Sequence, residues 1–316
     1  MKFRSVIFIV ACVLIIAACK KDNSVEFTPP TDISIIFEQD EIKLQEYLST
    51  HFYNYEEFAN PAGNFDYKIV IDTIAGDNSD KIALKDSDSF GFKTLTVKSE
   101  NVGIDGSEEI VHNIYYIIAR QGSGTSPTFA DSTYVDYEGS LLDGTVFDSS
   151  EVPVWFSLPG LVNGFSHGIT VLKSGGPYNP DNENPDGTYE VDDYGIGMIF
   201  MPSALAYYSN AQGLIPAYAP ISFQIDLLAV NEADHDNDGI PSYLEDLDGN
   251  GRLNNDNTDL ESENATFRFF ANYLDPDDDD DGTLTIDEIN LDAEGKFLSF
   301  RDTDEDGTPD HLDADS

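Results

Sequence analysis

The chain opens with an unbroken apolar run, Val6–Ala18, which follows Lys2 and Arg4 and ends on small residues before Cys19. A short cationic start, an apolar centre and small residues at the end are the layout of an export signal. The run is shorter than the ~20 residues that span a bilayer as a helix, so a transmembrane anchor is the weaker interpretation. The pattern predicts a signal peptide over 1–18.

Between residues 38 and 100 the pattern changes from helical to extended. Residues 37–52 carry apolar side chains at mixed spacings of two to five, which favours an amphipathic helix. The stretches 65–74 and 92–99 are typical of strands. We therefore predict a small α+β region over 38–100, and the apolar positions that favour its helix are Ile42, Leu44, Tyr47, Leu48 and Phe52.

Alternation of apolar and polar positions is the main signal after residue 101. Residues 132–139 alternate, so one face of this strand is expected to be buried and the other wet. An Asp-Gly turn follows at 143–144. Phe165, Ile169 and Leu172 then lie at helical spacing, and further strand patterns come after them. An antiparallel sheet wrapped around one short helix, an α+β arrangement, is the fold class that these elements predict.

The charge balance narrows the possible partners. The 316 residues include 60 acidic and 16 basic side chains, for a formal charge of −44. Such a field repels a phosphate backbone, so we expect no nucleic-acid partner, whereas multivalent cations are attracted. The hydrophobic fraction of 40% and the aromatic fraction of 12% still supply a real core.

Residues 112–231 resemble an FKBP-type peptidyl-prolyl isomerase domain. The matching stretches occur in the family's order: VDYEGSLLDGTVFDSS, LVNGFSHGITVLKSGG, MPSALAY, GLIPA and ISFQIDLLAV. The resemblance implies an isomerase domain over 101–231 that rotates X-Pro bonds of polypeptide clients. That rotation breaks amide resonance, a barrier of ~18–20 kcal/mol, and it requires no nucleophile. A dry, apolar pocket with a few fixed hydrogen bonds is the expected catalyst, without a cofactor.

The resemblance also implies roles for individual side chains. Phe147, Asp148 and Tyr207 would be catalytic, with Asp148 facing the bound carbonyl and Tyr207 bonding the substrate backbone. Phe165 would form the pocket floor, where the family usually has tryptophan, and the Val162 amide would also bind backbone. Taken singly, each aromatic is more often a core residue, and the conjunction favours a site. The expected substrate contacts are Tyr137, Leu161, Val162, Phe165, Leu214, Ile215 and Phe223.

Several features depart from the family pattern. Besides the altered floor, Val154 stands where an aromatic is common. Tyr208 stands where the family prefers glycine, which is awkward if the backbone there needs a positive φ. An acidic insertion rich in Pro, Asn and Gly occupies 177–194 and predicts an exposed loop.

The composition changes abruptly after Val230. Residues 232–316 hold 28 acidic and 4 basic side chains, with Asp or Asn at positions 1, 3 and 5 of four short loops, glycine at position 6, and Glu or Asp at position 12 of all but the second loop. Such loops point several oxygens at one Ca²⁺, which takes six to eight. The pattern resembles thrombospondin type 3 repeats, and a solvated acidic tail is the alternative. The predicted calcium ligands are Asp234, Asp236, Asp238, Glu245, Asp246, Asp248, Asn250, Asp277, Asp279, Asp281, Glu288, Asp302, Asp304, Asp306 and Asp313.

The end of the export signal resembles the lipobox of bacterial lipoproteins. In IAAC, Cys19 would become the acylated first residue of the mature chain, and Cys12 would leave with the signal, so no disulfide is expected. Residues 19–37 would form a polar tether. Lipid would then anchor the protein to a membrane of the bacterial cell envelope, by our expectation the outer membrane.

Two functions of different class fit these patterns. The first is a lipid-anchored prolyl isomerase that assists the folding of exported or envelope proteins. The second is a calcium-stiffened surface or adhesion lipoprotein whose FKBP-like domain binds peptides without significant isomerase activity.

Overall fold

The computed structural model describes residues 30–150, 152–176, 191–260 and 270–316. The predicted signal peptide, Cys19, most of the predicted tether and most of the insertion at 177–194 lie outside these ranges. Within the described ranges, no helix is both long and apolar enough to cross a membrane.

Strands outnumber α-helices in the described ranges, eleven to four. The helices are α1 (Ile33–Thr50), α2 (Tyr55–Ala59), α3 (Asn163–Gly168) and α4 (Thr285–Glu288). The strands are β1 (His51–Tyr53), β2 (Ile71–Thr73), β3 (Phe90–Lys98), β4 (Glu109–Arg120), β5 (Ser132–Leu141), β6 (Val146–Ser149), β7 (Val154–Ser157), β8 (Gly195–Met201), β9 (Ile221–Asn231), β10 (Ile289–Leu291) and β11 (Phe297–Phe300). Mixed α+β architecture with antiparallel sheets is confirmed.

A seven-stranded sheet forms the centre of the fold. Its order is β3-β4-β8-β9-β5-β6, and β7 pairs with β5 beyond the end of β6. Every pairing is antiparallel. The predicted alternation in 132–139 holds, since Thr133 and Val135 of β5 are fully buried. The sheet thus brings β5, β6 and β9 side by side, and these strands carry most of the predicted pocket.

Both faces of the sheet are covered. Strand β8 is buried along its whole length, because Ile199 points toward Phe165 of α3 and Phe200 points toward Leu44 and Leu48 of α1. An antiparallel sheet usually leaves one face wet. Here the N-terminal helix supplies a third layer, which explains the continuous apolar run of β8.

Helix α1 buries one charged residue, Asp40, and exposes two large apolar residues, Ile35 and Ile42. Leu44 and Leu48 are fully buried, and so is Asp40, which accepts hydrogen bonds from Ser203 N at 2.8 Å and Ser203 Oγ at 2.5 Å. Ile42 is 67% exposed, so placing it on the apolar side was wrong. The buried stripe follows positions 40, 44 and 48, four residues apart, and position 42 lies on the opposite side of the helix.

The seven-stranded sheet contains strands from both sides of the domain boundary that the sequence predicted at residue 100. Strand β3 is an edge strand that pairs with β4 over its whole length, from Phe90 to Lys98. Helix α1 begins at Ile33, inside the predicted tether. The region before residue 100 therefore contributes an edge and a layer to the same core, in addition to the small β1-β2 ribbon.

Candidate functional site

Five aromatic rings from five different elements pack against one another. The ring centroids of Phe165 and Phe223 lie 5.0 Å apart at 90°, and those of Phe147 and Phe223 lie 5.6 Å apart at 88°. Tyr137 lies 5.3 Å from Phe156, and Phe156 lies 6.0 Å from Phe165. Phe165 and Phe223 are buried while the other three are half-buried. The rings form a bowl, the aromatic bowl, with a dry floor and an accessible rim.

The strand register explains how these rings meet. Gly139 of β5 lies opposite Asp148 on one side and Phe223 on the other. A Cβ atom at Gly139 would lie 2.5 Å from the Phe147 ring and 2.7 Å from the Phe223 ring. The missing side chain therefore lets the two rings approach edge to face, an arrangement that aromatic pairs favour.

The polar groups of the bowl are a carboxylate and two phenols. The Tyr137 hydroxyl donates a hydrogen bond to Asp148 Oδ2 at 2.8 Å. Burial, and then the Asp148 carboxylate, raise the pKa of Tyr137 to about 12, and the same two causes raise the pKa of Tyr207. Both phenols stay protonated at neutral pH and can donate hydrogen bonds.

Three of the predicted site residues share a cavity beside the bowl. Leu161, Val162 and Tyr207 line this cavity of about 370 Å³. Ile215 is buried in the core next to it, and Leu214 is 61% exposed. Leu214 is therefore the most exposed of the predicted substrate contacts.

The sequence interpretation missed one ring of the bowl. Phe156 packs on both Tyr137 and Phe165, although only Val154 in the same strand was considered. Val154 and Phe156 are half-buried while Trp155 between them is exposed. The alternation of strand β7 carried this signal, because residues two apart lie on the same face.

The acidic segment folds into four loops with a common set of hydrogen bonds. In the first, second and fourth loops the glycine at position 6 donates its N–H to the carboxylate at position 1. In all four, the N–H at position 5 donates to the carboxylate at position 3. Each glycine has a φ between 76° and 99°. These bonds turn the loop inward, so that its remaining carboxylate oxygens face one another.

Carboxylate oxygens gather within 4.8 Å of one another in five groups. Three of the groups contain positions 1, 3 and 5 of a predicted loop. The second loop instead joins Asp246 and Asp248 to Asp256, which the sequence did not predict. Glu288 and Asp313 do not join the groups at this distance. The groups are Asp234, Asp236 and Asp238; Asp238, Glu245 and Asp278; Asp246, Asp248 and Asp256; Asp277, Asp279 and Asp281; and Asp302, Asp304 and Asp306.

Burial makes several of these carboxylates unfavourable as bare anions. Glu245 is 3% exposed and neither of its oxygens has a hydrogen-bond partner in the part of the chain that the structure describes. Burial, then repulsion from neighbouring acids, raises the pKa of Glu245 to about 10, of Asp236 to about 8 and of Glu288 to about 7. Oxygen-rich, desolvated and unpartnered groups fit a hard divalent cation.

The second acidic loop contacts the helix that carries the bowl's floor. His167 of α3 lies with Nε2 2.9 Å from the Gly251 carbonyl oxygen and stacks on Phe129 at 4.9 Å. With the Asn163 amide oxygen turned toward Arg252, it accepts from both terminal guanidinium nitrogens at 2.9 Å. The acidic segment is therefore docked on the sheet domain through polar and aromatic contacts.

Comparison with known proteins finds two separate similarities. A protein of Neisseria meningitidis described as a "probable FKBP-type peptidyl-prolyl cis-trans isomerase FkpA" is 34% identical over 135 residues, 42% of this chain and 43% of that one. The peptidyl-prolyl cis-trans isomerase Mip of Coxiella burnetii is 28% identical over 144 residues, 44% of this chain and 54% of that one. A family described as BamM C-terminal matches residues 235–301.

Part of this chain is therefore similar to FKBP-type peptidyl-prolyl isomerases. The chain spans about half the length of the curated relatives that it matches. A crystal structure of a peptidyl-prolyl cis-trans isomerase from Pseudomonas syringae pv. tomato is 20% identical, with a TM-score of 0.35, and the match covers 65% of this chain and 99% of that one.

Proposed function

We propose that the chain is a peptidyl-prolyl cis-trans isomerase whose substrate is a proline-containing polypeptide. The observation that carries the proposal is the aromatic bowl with its hydrogen-bonded Tyr137–Asp148 pair. A prolyl ring is apolar and fits a floor of phenylalanine rings. The similarity to FKBP-type isomerases supports the same assignment.

The proposed mechanism is electrostatic and needs no covalent step. In a planar amide, resonance adds negative charge to the carbonyl oxygen, and twisting the C–N bond reduces that charge. An Asp148 carboxylate near the oxygen therefore disfavours the planar form more than the twisted form. Tyr207 donates a hydrogen bond to the peptide backbone and holds it in place, while the rings of Phe147 and Phe165 exclude water.

A protease-free assay with a proline peptide, with and without calcium, tests the activity. We expect Asp148→Ala to lower kcat/KM about tenfold or more, because the charge that discriminates planar from twisted amide is lost. Asp143→Ala removes an exposed acid of the same hairpin and is the matched control, expected to match the parent. No acceleration by the parent chain, with or without calcium, would refute the proposal.

A peptide-binding module without significant isomerase activity, part of a calcium-stiffened surface lipoprotein, is the second candidate. Tyr208 favours it, because this buried residue has a φ of 48° where isomerases of the family prefer glycine. The altered floor at Phe165 points the same way. Binding of a proline peptide that Phe165→Ala weakens, together with an unaccelerated isomerisation rate, would select this candidate.

The proposal includes a lipid anchor in the bacterial cell envelope, at the outer membrane by our expectation. Its support is the sequence of residues 1–19, which lies outside the described residues. The mature N-terminus and its mass provide the test. A mature chain that begins anywhere other than Cys19, or lacks acyl mass, would contradict the anchor.

We also propose that Ca²⁺ stabilises residues 232–316. The support is the grouping of carboxylate oxygens and the burial of Glu245, whose oxygens have no protein partner among the described residues. Calorimetry and circular dichroism on the full chain at millimolar calcium test this. An absence of heat and an unchanged spectrum would leave only an acidic segment.

A further inference from the structure

Asp278 is a buried acid that its own loop does not explain. It occupies position 2 of the third acidic loop, while that loop's grouped carboxylates are Asp277, Asp279 and Asp281. Position 2 of the other loops holds His235, Leu247 or Thr303, so the repeat itself does not require an acid there. Asp278 is 2% exposed, and neither of its carboxylate oxygens has a hydrogen-bond partner among the residues that the structure describes.

The Asp278 carboxylate faces the first acidic loop. It groups within 4.8 Å with the carboxylates of Asp238 and Glu245, which are 1% and 3% exposed. Three desolvated anions this close repel one another strongly unless a cation lies between them. The group thus draws ligands from two loops that are more than 30 residues apart in sequence.

The oxygens left without a protein partner suffice for calcium. Asp238, Glu245 and Asp278 present five such carboxylate oxygens, and the neighbouring group that shares Asp238 adds two more, from Asp234 and Asp236. Ca²⁺ takes six to eight oxygen ligands, whereas Mg²⁺ demands octahedral geometry and keeps several waters. The buried, protein-rich donor set favours Ca²⁺.

The first loop cannot supply the same ligand from its own position 9. In calcium loops of this pattern, position 9 commonly binds the ion, often through water. Here position 9 is Ser242, whose Oγ lies 3.2 Å from His235 N and 2.9 Å from His235 Nδ1. Both contacts hold this hydroxyl against His235 of the same loop, one at its backbone and one at its ring, which leaves a coordination position for a group from outside the loop.

We propose that Asp278 is a calcium ligand across loops, completing the site of Asp238 and Glu245, an inference that rests on the proposed binding of calcium by this segment. The ion then fastens the first loop to the third. The two loops already lie side by side, since a Cβ atom at Gly239 of the first loop would lie 3.5 Å from Ile286 Cγ1 of the third. The bound ion turns this contact into a cross-link.

Calorimetry on the full chain, titrated with Ca²⁺ after chelator treatment, tests the ligand. We expect Asp278→Asn to weaken one site at least tenfold or remove it. Asp287→Asn removes the same charge from an exposed residue of the third loop that belongs to no carboxylate group, and should bind as the parent does. Glu245→Gln should weaken the same site, and the double variant should lose little more than either single variant.

Thermal unfolding supplies a second measurement, in which the difference in unfolding temperature between Asp278→Asn and the parent should change sign when calcium is added. Without calcium, Asp278→Asn should unfold at a higher temperature than the parent, because the parent must desolvate a third acid beside Asp238 and Glu245, a cost that asparagine largely avoids. With calcium, it should unfold at a lower temperature. A parent chain that binds no calcium would refute the calcium proposal itself. A parent that binds calcium, with an Asp278→Asn variant that binds and unfolds like Asp287→Asn, would overturn this inference alone.

Discussion

Tyr208 illustrates how one residue can depart from a family pattern and still be favourable. Its φ of 48° is a conformation that costs a bulky side chain ~1–3 kcal/mol. The side chain is 3% exposed, packs edge-on against Tyr218 at 5.2 Å and donates a hydrogen bond to the Thr31 carbonyl oxygen at 2.5 Å. Burial of a large aromatic ring offsets the strain, and the hydroxyl fixes the chain that enters α1.

Tyr208→Gly should therefore destabilise the protein although it relieves the strained backbone. The loss of a buried ring costs ~3–5 kcal/mol, more than the strain that is released. Tyr208→Phe keeps the ring and the strain and should lose only about 1 kcal/mol with the hydrogen bond. Denaturant unfolding at fixed calcium measures both variants. A Tyr208→Gly variant more stable than Tyr208→Phe would show that strain dominates.

Asp226 should make stability depend on pH. Burial, then repulsion from Asp136 directly across the strand pair, raises the pKa of Asp226 to about 7, against the opposing effects of Arg120 and Lys68. The folded chain then holds a proton that the unfolded chain releases near pH 4. The stabilising effect of this proton is full below pH 4 and is lost as the pH rises toward 7.

We accordingly expect Asp226→Asn to be more stable than the parent by ~1–3 kcal/mol at pH 8, with the difference shrinking toward pH 4. Chemical unfolding at several pH values, in saturating calcium, measures the difference. Exposed Asp72→Asn, on strand β2, is the control and should follow the parent. A constant difference between Asp226→Asn and the parent at all pH values would contradict the assigned pKa.

At the scale of elements, the sequence correctly predicted those features of strands and helices that follow from the local alternation or periodicity of apolar residues. The alternation of β5 gave the correct buried face, with Thr133 and Val135 inside. Helix α1 was predicted together with its buried residues Leu44 and Leu48, but the burial of Asp40 was not, because its bonds are to Ser203, which lies far away in sequence. No periodicity encodes such a partner.

The same limit applied to the candidate sites. Tyr137, Asp148 and Phe165 could be predicted from a family resemblance, and the structure brings them close together. Asp256 and Asp278 escaped the loop pattern, because they occupy positions that the 1-3-5-12 spacing does not use. Their burial depends on how one loop packs on another, which the spacing within a loop does not specify.

The docking of the second acidic loop on α3 can be tested with two glycines of that loop. Gly249 and Gly251 both have a positive φ, of 68° and 76°. A Cβ at Gly249 would meet nothing within 4 Å, whereas one at Gly251 would lie 2.5 Å from His167 Cε1. Alanine at Gly249 should cost about 1 kcal/mol through backbone strain alone, and alanine at Gly251 should cost ~1–3 kcal/mol more.

Thermal unfolding of the two variants measures this difference. Since both substitutions add one methyl group at a positive φ in the same loop, the difference isolates the contact with α3. Equal unfolding temperatures for the two variants would mean that the loop does not press on His167 in solution.

At the scale of the whole molecule, the acidic residues are distributed unevenly along the chain. The segment 232–316 holds 28 of the 60 acidic residues, yet it is folded against the sheet domain through Gly251, Arg252 and Ala233. The mutual repulsion of these acids opposes the compact arrangement of the segment. A ligand that binds only the folded form at 100 times its Kd contributes ~2.7 kcal/mol, so filled calcium sites would offset much of this repulsion.

Removal of calcium should therefore loosen the molecule locally. We expect a chelator to lower the unfolding temperature, and calcium, but not equimolar magnesium, to restore it. Hydrogen exchange should locate the change. Amides of α3 and of residues 129–131, which the acidic segment covers, should lose protection, while amides of α1 on the other face keep theirs. Equal loss of protection in α1 and α3 would indicate global destabilisation, and no loss in α3 would show that docking is independent of calcium.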